Sequence, residues 1–186
     1  MIYALIDKET LLQRKVSLCS FVKKLNPKTV PLLQYRNKLA SLEEQREDLR
    51  VIRHCYHGKL IINDQLLLID EADGLHLGQE DIRQYSQDLS CAVQKIREVI
   101  GEKILGLSTH NEMEILQANK LDLDYIGLGA YRGTTTKKDA KILGDHALEL
   151  AKLSKHPVAL IGGVKRTDRF GDEITYRVIG SDLYES

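Results

Sequence analysis

Eight short apolar runs, each closing on polar residues or glycine, constrain this chain more than any other feature. They are Ile2–Ile6, Val30–Leu33, Lys59–Ile62, Gly74–Leu77, Lys103–Leu107, Asp124–Gly129, His156–Ile161 and Arg177–Ser181. Each is too short for a stable helix and is bounded by turn-forming residues, so each reads as a buried strand. Between them lie stretches of helical periodicity: Thr10–Leu25, Ser41–Cys55, a short helix before Gly74, Leu89–Ile100, Glu112–Asn119 and one running through Leu153. Regular alternation of strand and helix specifies a parallel α/β sheet. With eight strands the expected form is a closed (β/α)8 barrel, the TIM barrel. An open doubly wound sheet is the second choice, and no Gly-rich dinucleotide fingerprint follows the first run to support it. Val164–Arg177 leaves room only for a shortened seventh helix, and Asp182–Ser186 is too short for a full final one.

No shift in composition divides the 186 residues, so one barrel domain spanning 1–186 is expected. Lysine and arginine number 27 against 27 acidic residues. That balance leaves no general basic field of the kind nucleic-acid binding uses. No apolar run approaches the ~20 residues of a membrane span, and the start lacks a signal peptide's pattern, so no membrane association and a cytoplasmic location are expected. A homo-oligomer is left open. Cys19, Cys55 and Cys91 are scattered and read as reduced thiols. His54, Cys55 and His57 form a soft-ligand cluster without the further ligands a transition metal needs, and read as an exposed helix end.

The chemistry gathers at the ends of the runs, where loops are held by a rigid core. Asn63-Asp64 closes the third run and Asp81 follows the fourth. Either aspartate alone would pass for a helix cap. Two at successive strand ends could share a hard divalent cation, and an oxygen-only pair of this kind suits Mg²⁺ completed by a substrate phosphate. After the second run, alternation places Gln34, Arg36 and Lys38 on one side, a set that could grip a diphosphate. Gly133 to Asp139 combines glycine, hydroxyls and lysine in a plausible phosphate cradle without matching a P-loop. Gly162-Gly163 offers bare backbone amides to an anion. Ser108 two residues from His110 invites a nucleophile reading, but residues so spaced on a strand end are not thereby hydrogen-bonded, and no oxyanion-hole loop accompanies them.

Taken in order, these motifs resemble those of the thiamine phosphate synthase family, whose superfamily includes the thiazole tautomerases, and the resemblance runs from residue 1 to about residue 181. Gln34-x-Arg36-x-Lys38, Asn63-Asp64, His76-x-Gly78-Gln79-Glu80-Asp81, Ser108-Thr109-His110 and Thr134-x-Thr136-Lys137-Lys138-Asp139 carry it. The resemblance implies a barrel that joins hydroxymethylpyrimidine diphosphate to a thiazole phosphate and releases diphosphate, with Mg²⁺ as cofactor. It implies Asp64 and Asp81 as metal ligands, and Gln34, Arg36, Lys38, Asn63 and Lys137 around the diphosphate. It further implies Ser108 on the pyrimidine side, and Thr134, Thr136, Gly163 and Ser181 facing the thiazole phosphate. Arg36, Ser108 and Lys137 are the expected catalytic groups. The chain departs from the family pattern at Ala130 and Gly133, where proline is usual. Related thiazole tautomerases lack the paired aspartates and carry a histidine after the strand-six glycine, where this chain has Ala130. A tautomerase-like isomerase, or a non-catalytic barrel that binds a thiamine precursor, are the alternatives.

Overall fold

The computed structural model describes residues 1–133 and 141–184. Eight parallel strands, β1 (Ile2–Asp7), β2 (Leu32–Arg36), β3 (Lys59–Asn63), β4 (Gly74–Leu77), β5 (Ile104–Thr109), β6 (Tyr125–Leu128), β7 (Val158–Leu160) and β8 (Tyr176–Ile179), pair in sequence order. β8 returns to β1 through Tyr3↔Val178 and closes the barrel. The sequence supports closure because residues on both faces of each strand are apolar. Ala4, Ile6, Leu33, Leu60, Ile62, Leu75 and Leu105 pack outward in the helix-facing core, and each is fully buried. Tyr3, Leu5, Leu32, Ile61, Tyr125, Ala159 and Val178 fill the barrel interior. Each large side chain buried this way contributes about 1.5–3 kcal/mol.

The expected helix Thr10–Leu25 is two short helices, α1 (Lys8–Gln13) and α2 (Leu18–Val22). Val16 N–H bonds Leu11 O, Lys15 N–H bonds Leu12 O, and Lys15 sits at φ 55. That is the Schellman ending of a helix, usually built on glycine. Ser17 then caps α2. β2 begins two residues later than the apolar run suggests. Pro31 has no N–H for the ladder, and Val30 O is taken by the Tyr56 hydroxyl at 2.6 Å.

The remaining layer comprises α3 (Leu42–Cys55, with a Ser41–Glu44 capping box), a 3₁₀ turn at Leu66–Glu71, α4 (Gln79–Ile82), α5 (Leu89–Ile100), α6 (Glu112–Ala118) and α7 (His146–Ala151). Where a shortened helix was expected between β7 and β8 there is none. That connection is tied instead by the Arg132–Asp168 ion pair and by Arg177 donating to Arg166 O and Asp168 O. A 3₁₀ turn, Ser181–Tyr184, follows β8 in place of a helix. Tyr184 stacks on Phe21 with centroids 4.8 Å apart and accepts the Asp7 N–H at 3.2 Å, so it covers the gap beside β1. No helix among the described residues is long and apolar enough to cross a membrane.

Candidate active site

Strand direction sends every carboxyl end to one face, where a single cleft opens into the barrel mouth with about 1020 Å³ of space counted to its open rim. Its wall contains every described residue expected from the sequence. Gln34, Arg36 and Lys38 come from β2 and its exit, Asn63 and Asp64 from β3, and Asp81 from α4. Ser108 comes from β5, Gly163 from the β7 exit and Ser181 from the β8 exit. Thr134, Thr136 and Lys137 lie outside the described residues.

The acidic corner is under electrostatic stress. Asp64 occupies the left-handed region at φ 63, held by its N–H to His76 O at 2.9 Å. Its carboxylate receives the Asn63 amide at 2.5 Å and the Lys38 ammonium at 3.5 Å. Burial first, and then the neighbouring Asp81 charge, hold the Asp64 carboxyl above its ordinary value, while Lys38 and Asn63 oppose the shift. Burial, Asp64 and Asp81 also raise the Tyr85 phenol. Two carboxylates whose charges disfavour each other, one of them paired with an exposed lysine, fit a hard cation that needs one or two protein oxygens and takes the rest from water and phosphate. Among the described residues no group of three or more His, Cys, Asp or Glu side chains is placed to hold a metal by itself.

Arg36 is held from behind. Its guanidinium pairs with Asp7 Oδ1 at 2.5 Å, and Asp7 Oδ2 accepts both the Thr10 N–H at 3.1 Å and the Thr10 hydroxyl at 2.8 Å, so the same carboxylate caps α1. In the sequence Asp7 merely follows the first apolar run, with no motif to mark it. The opposite wall offers backbone amides. Gly162 (φ 96) and Gly163 (φ 59) adopt angles that only glycine takes without strain. A Cβ on Gly162 would stand 2.8 Å from Ala130 Cα, and one on Gly163 would stand 2.7 Å from Arg132 Cβ.

Ser108 and His110 do not meet. His110 stands at the rim with its N–H and Nδ1 both on Glu114 Oε2, at 2.8 and 2.9 Å. Ser108 Oγ lies instead 2.9 Å from His76 Nε2, and His76 Nδ1 lies 2.9 Å from the Tyr125 hydroxyl. That hydroxyl is 2.8 Å from Tyr3 Oη, which accepts the Gln34 amide at 2.8 Å. His76 and Tyr125 can touch because Gly106, their shared neighbour in register on β5, has no side chain between them. Away from the cleft, Cys55 at the end of α3 meets no metal partner. Its sulfur lies 2.7 Å from Cys19 on α2.

A closed β/α barrel that gathers two carboxylates, an arginine, a lysine and glycine amides at the carboxyl ends of its strands has the architecture of the barrel enzymes. The chain belongs to the thiamine monophosphate synthase family, whose family model matches residues 2–169. It is 34% identical over 170 residues to the thiamine-phosphate synthase of Persephonella marina, covering 88% of this chain and 76% of that one. It is 32% identical over 142 residues to thiamine-phosphate synthase 1 of Aquifex aeolicus, covering 73% and 62%. The solved structure of thiamine phosphate pyrophosphorylase from Pyrococcus furiosus superposes with a TM-score of 0.76 over 97% of this chain and 85% of that one, at 24% identity, and shows the shared fold.

Proposed function

We propose that this protein is a transferase that joins hydroxymethylpyrimidine diphosphate to a thiazole phosphate and releases diphosphate. The observation that carries the reading is the placement of Asp64 and Asp81 in the same cleft as Arg36 and Lys38, in a chain whose relatives include proteins named thiamine-phosphate synthase.

The reaction asks little acid–base work of the protein. A thiazole nitrogen attacks the pyrimidine methylene, the methylene–oxygen bond breaks, and the diphosphate leaves with the electron pair. No proton need be lost from the nucleophile. The protein's task is to hold two ligands in line and stabilise the charge on the leaving group. Arg36, fixed by Asp7, presents the rest of its guanidinium to the diphosphate, and Lys38 and Asn63 reach the same space. Gln34 gives one amide N–H to Tyr3 and keeps its second N–H for the diphosphate side of the cleft. Asp64 and Asp81 would hold Mg²⁺, which when bound would neutralise diphosphate oxygens. Ser108 faces the pyrimidine side, and Gly163 and Ser181 face the thiazole phosphate. By the family resemblance Thr134 and Thr136 would join the thiazole phosphate side and Lys137 the diphosphate side.

The test is continuous detection of diphosphate with both substrates and Mg²⁺. Release that requires both substrates supports the reading. Isomerisation of the thiazole without coupling would replace it with the tautomerase reading, and tight binding without turnover would replace it with a sensor.

A further inference from the structure

Below the cleft, among the described residues, a row of polar groups crosses the barrel interior through five strands: Gln34 (β2), Tyr3 (β1), Tyr125 (β6), His76 (β4) and Ser108 (β5). Burying such groups is costly unless every donor has an acceptor. Four of the five groups can donate or accept. The Gln34 NH₂ can only donate, and it donates to Tyr3 Oη. That one constraint sets the direction of the whole row.

Tyr3 is fully buried, and its hydroxyl proton finds its acceptor in Tyr125 Oη, 2.8 Å away. With the Gln34 NH₂ donating from the other side, the reverse assignment would leave the buried Tyr3 O–H without an acceptor, which is costly. Tyr125, having accepted, donates to His76 Nδ1. That nitrogen therefore carries no proton. The imidazole proton sits on Nε2 and is given to Ser108 Oγ. Ser108 has then accepted its bond from the protein, and its own hydroxyl hydrogen is turned to the cleft.

We infer that this row is a one-way hydrogen-bond relay that makes Ser108 an obligatory donor to bound substrate, with Tyr3 and Tyr125 as positioning residues. Burial keeps both phenols protonated, raising each above its ordinary value. The rings are locked as well: Tyr3, Tyr125 and Tyr176 meet edge to face at 5.7 to 6.2 Å, and His76 stacks on Tyr125 at 5.5 Å. The ligand atom that meets this hydrogen is an acceptor, a ring nitrogen or a phosphate oxygen. The direction of the relay follows from the orientation of the Gln34 amide and the spacing of the row. Its consequence for turnover rests on the synthase reading.

The experiment is nitrogen NMR of protein labelled at its six histidines, with His76→Asn assigning the His76 signals. At neutral pH the wild type should show Nδ1 as the unprotonated, pyridine-type nitrogen and Nε2 as the protonated one. Tyr125→Phe keeps the ring and removes the hydroxyl. It should abolish the tautomer preference and lower kcat for diphosphate release about tenfold, the worth of one hydrogen bond, with KM for the thiazole phosphate unchanged. A wild type with the proton on Nδ1, or on both nitrogens, overturns the inference whether or not the variant folds. So does a folded Tyr125→Phe that alters neither tautomer nor kcat. A wild type with the expected tautomer that releases no diphosphate upholds the relay and removes the synthase reading.

Discussion

Replacing Gly106 with alanine adds one methyl group where the barrel has no room for it. Gly106 sits mid-strand on β5, opposite His76 on one side and Tyr125 on the other. A Cβ there would stand 2.2 Å from Tyr125 Cζ and 2.5 Å from both its Cε1 and its hydroxyl oxygen. Ordinary contact begins at 3.4 Å, so the ring must withdraw by more than an ångström. It has nowhere easy to go, because Tyr3 and Tyr176 pack edge-on against it and His76 stacks on it. Overpacking of this kind costs about 1–3 kcal/mol. Losing the bonds to Tyr3 and His76 adds roughly 0.5–1.5 kcal/mol each. A total of about 2–6 kcal/mol corresponds to a Tm lower by roughly 4–24 °C for a domain of this size. Differential scanning calorimetry measures it, with Gly180→Ala as the control, since a Cβ on Gly180 meets only Leu5 O at 3.9 Å. A Gly106→Ala protein that melts within a degree or two of wild type would refute the claim that Tyr125 is fixed over this glycine.

Asp64→Asn should cost diphosphate release about 10²-fold or more while leaving the protein at least as stable at neutral pH. The folded state holds the Asp64 proton more tightly than the unfolded chain, so ionisation costs stability as pH rises from the ordinary value of 3.8 through the raised one, and the full cost persists above. The wild type should therefore lose stability relative to the Asn variant across that interval. A gain, or unchanged turnover, contradicts the assignment. Asp7→Asn keeps an N-cap for α1 but removes the charge that steadies Arg36, so KM for the pyrimidine diphosphate should rise about tenfold with a stability change of no more than about 1 kcal/mol. An unchanged KM would show that Arg36 needs no such support. A small disulfide such as oxidised glutathione should join Cys19 to Cys55 by two exchange steps, adding about 3–4 kcal/mol of stability for a closure spanning 36 residues. Alkylation of all three cysteines after that treatment would show that the pair does not close.

Most of the barrel was legible because strands buried on both faces read as continuous apolar runs, and eight of them alternating with helices leave few topologies. Several boundaries were not, and neither was the lack of a helix between β7 and β8. The break between α1 and α2 rests on Lys15 in a conformation that sequence reading assigns to glycine, and the late start of β2 depends on where Tyr56 sends its hydroxyl. Leu12 fits the helical periodicity yet stands exposed, since the break turns it outward. At the site, the motif residues were legible because they end strands. The relay was hidden because Tyr3 and Tyr125 lie inside apolar runs, where tyrosine reads as core. Their partners are 122 and 49 residues away, and only barrel closure brings them together. One signal was available: His76 interrupts the run Gly74–Leu77, and a buried histidine needs partners.

The central claim, that Asp64 and Asp81 act with Arg36 and Lys38 on one anion, is tested most directly by calorimetric titration of diphosphate into the protein with and without Mg²⁺. Binding should be saturable and one-to-one when Mg²⁺ is present, weakened at least tenfold by its removal, and insensitive to Mg²⁺ in Asp81→Asn. Diphosphate binding that is equally tight in chelator, or Mg²⁺-dependent binding that survives Asp81→Asn unchanged, would contradict it.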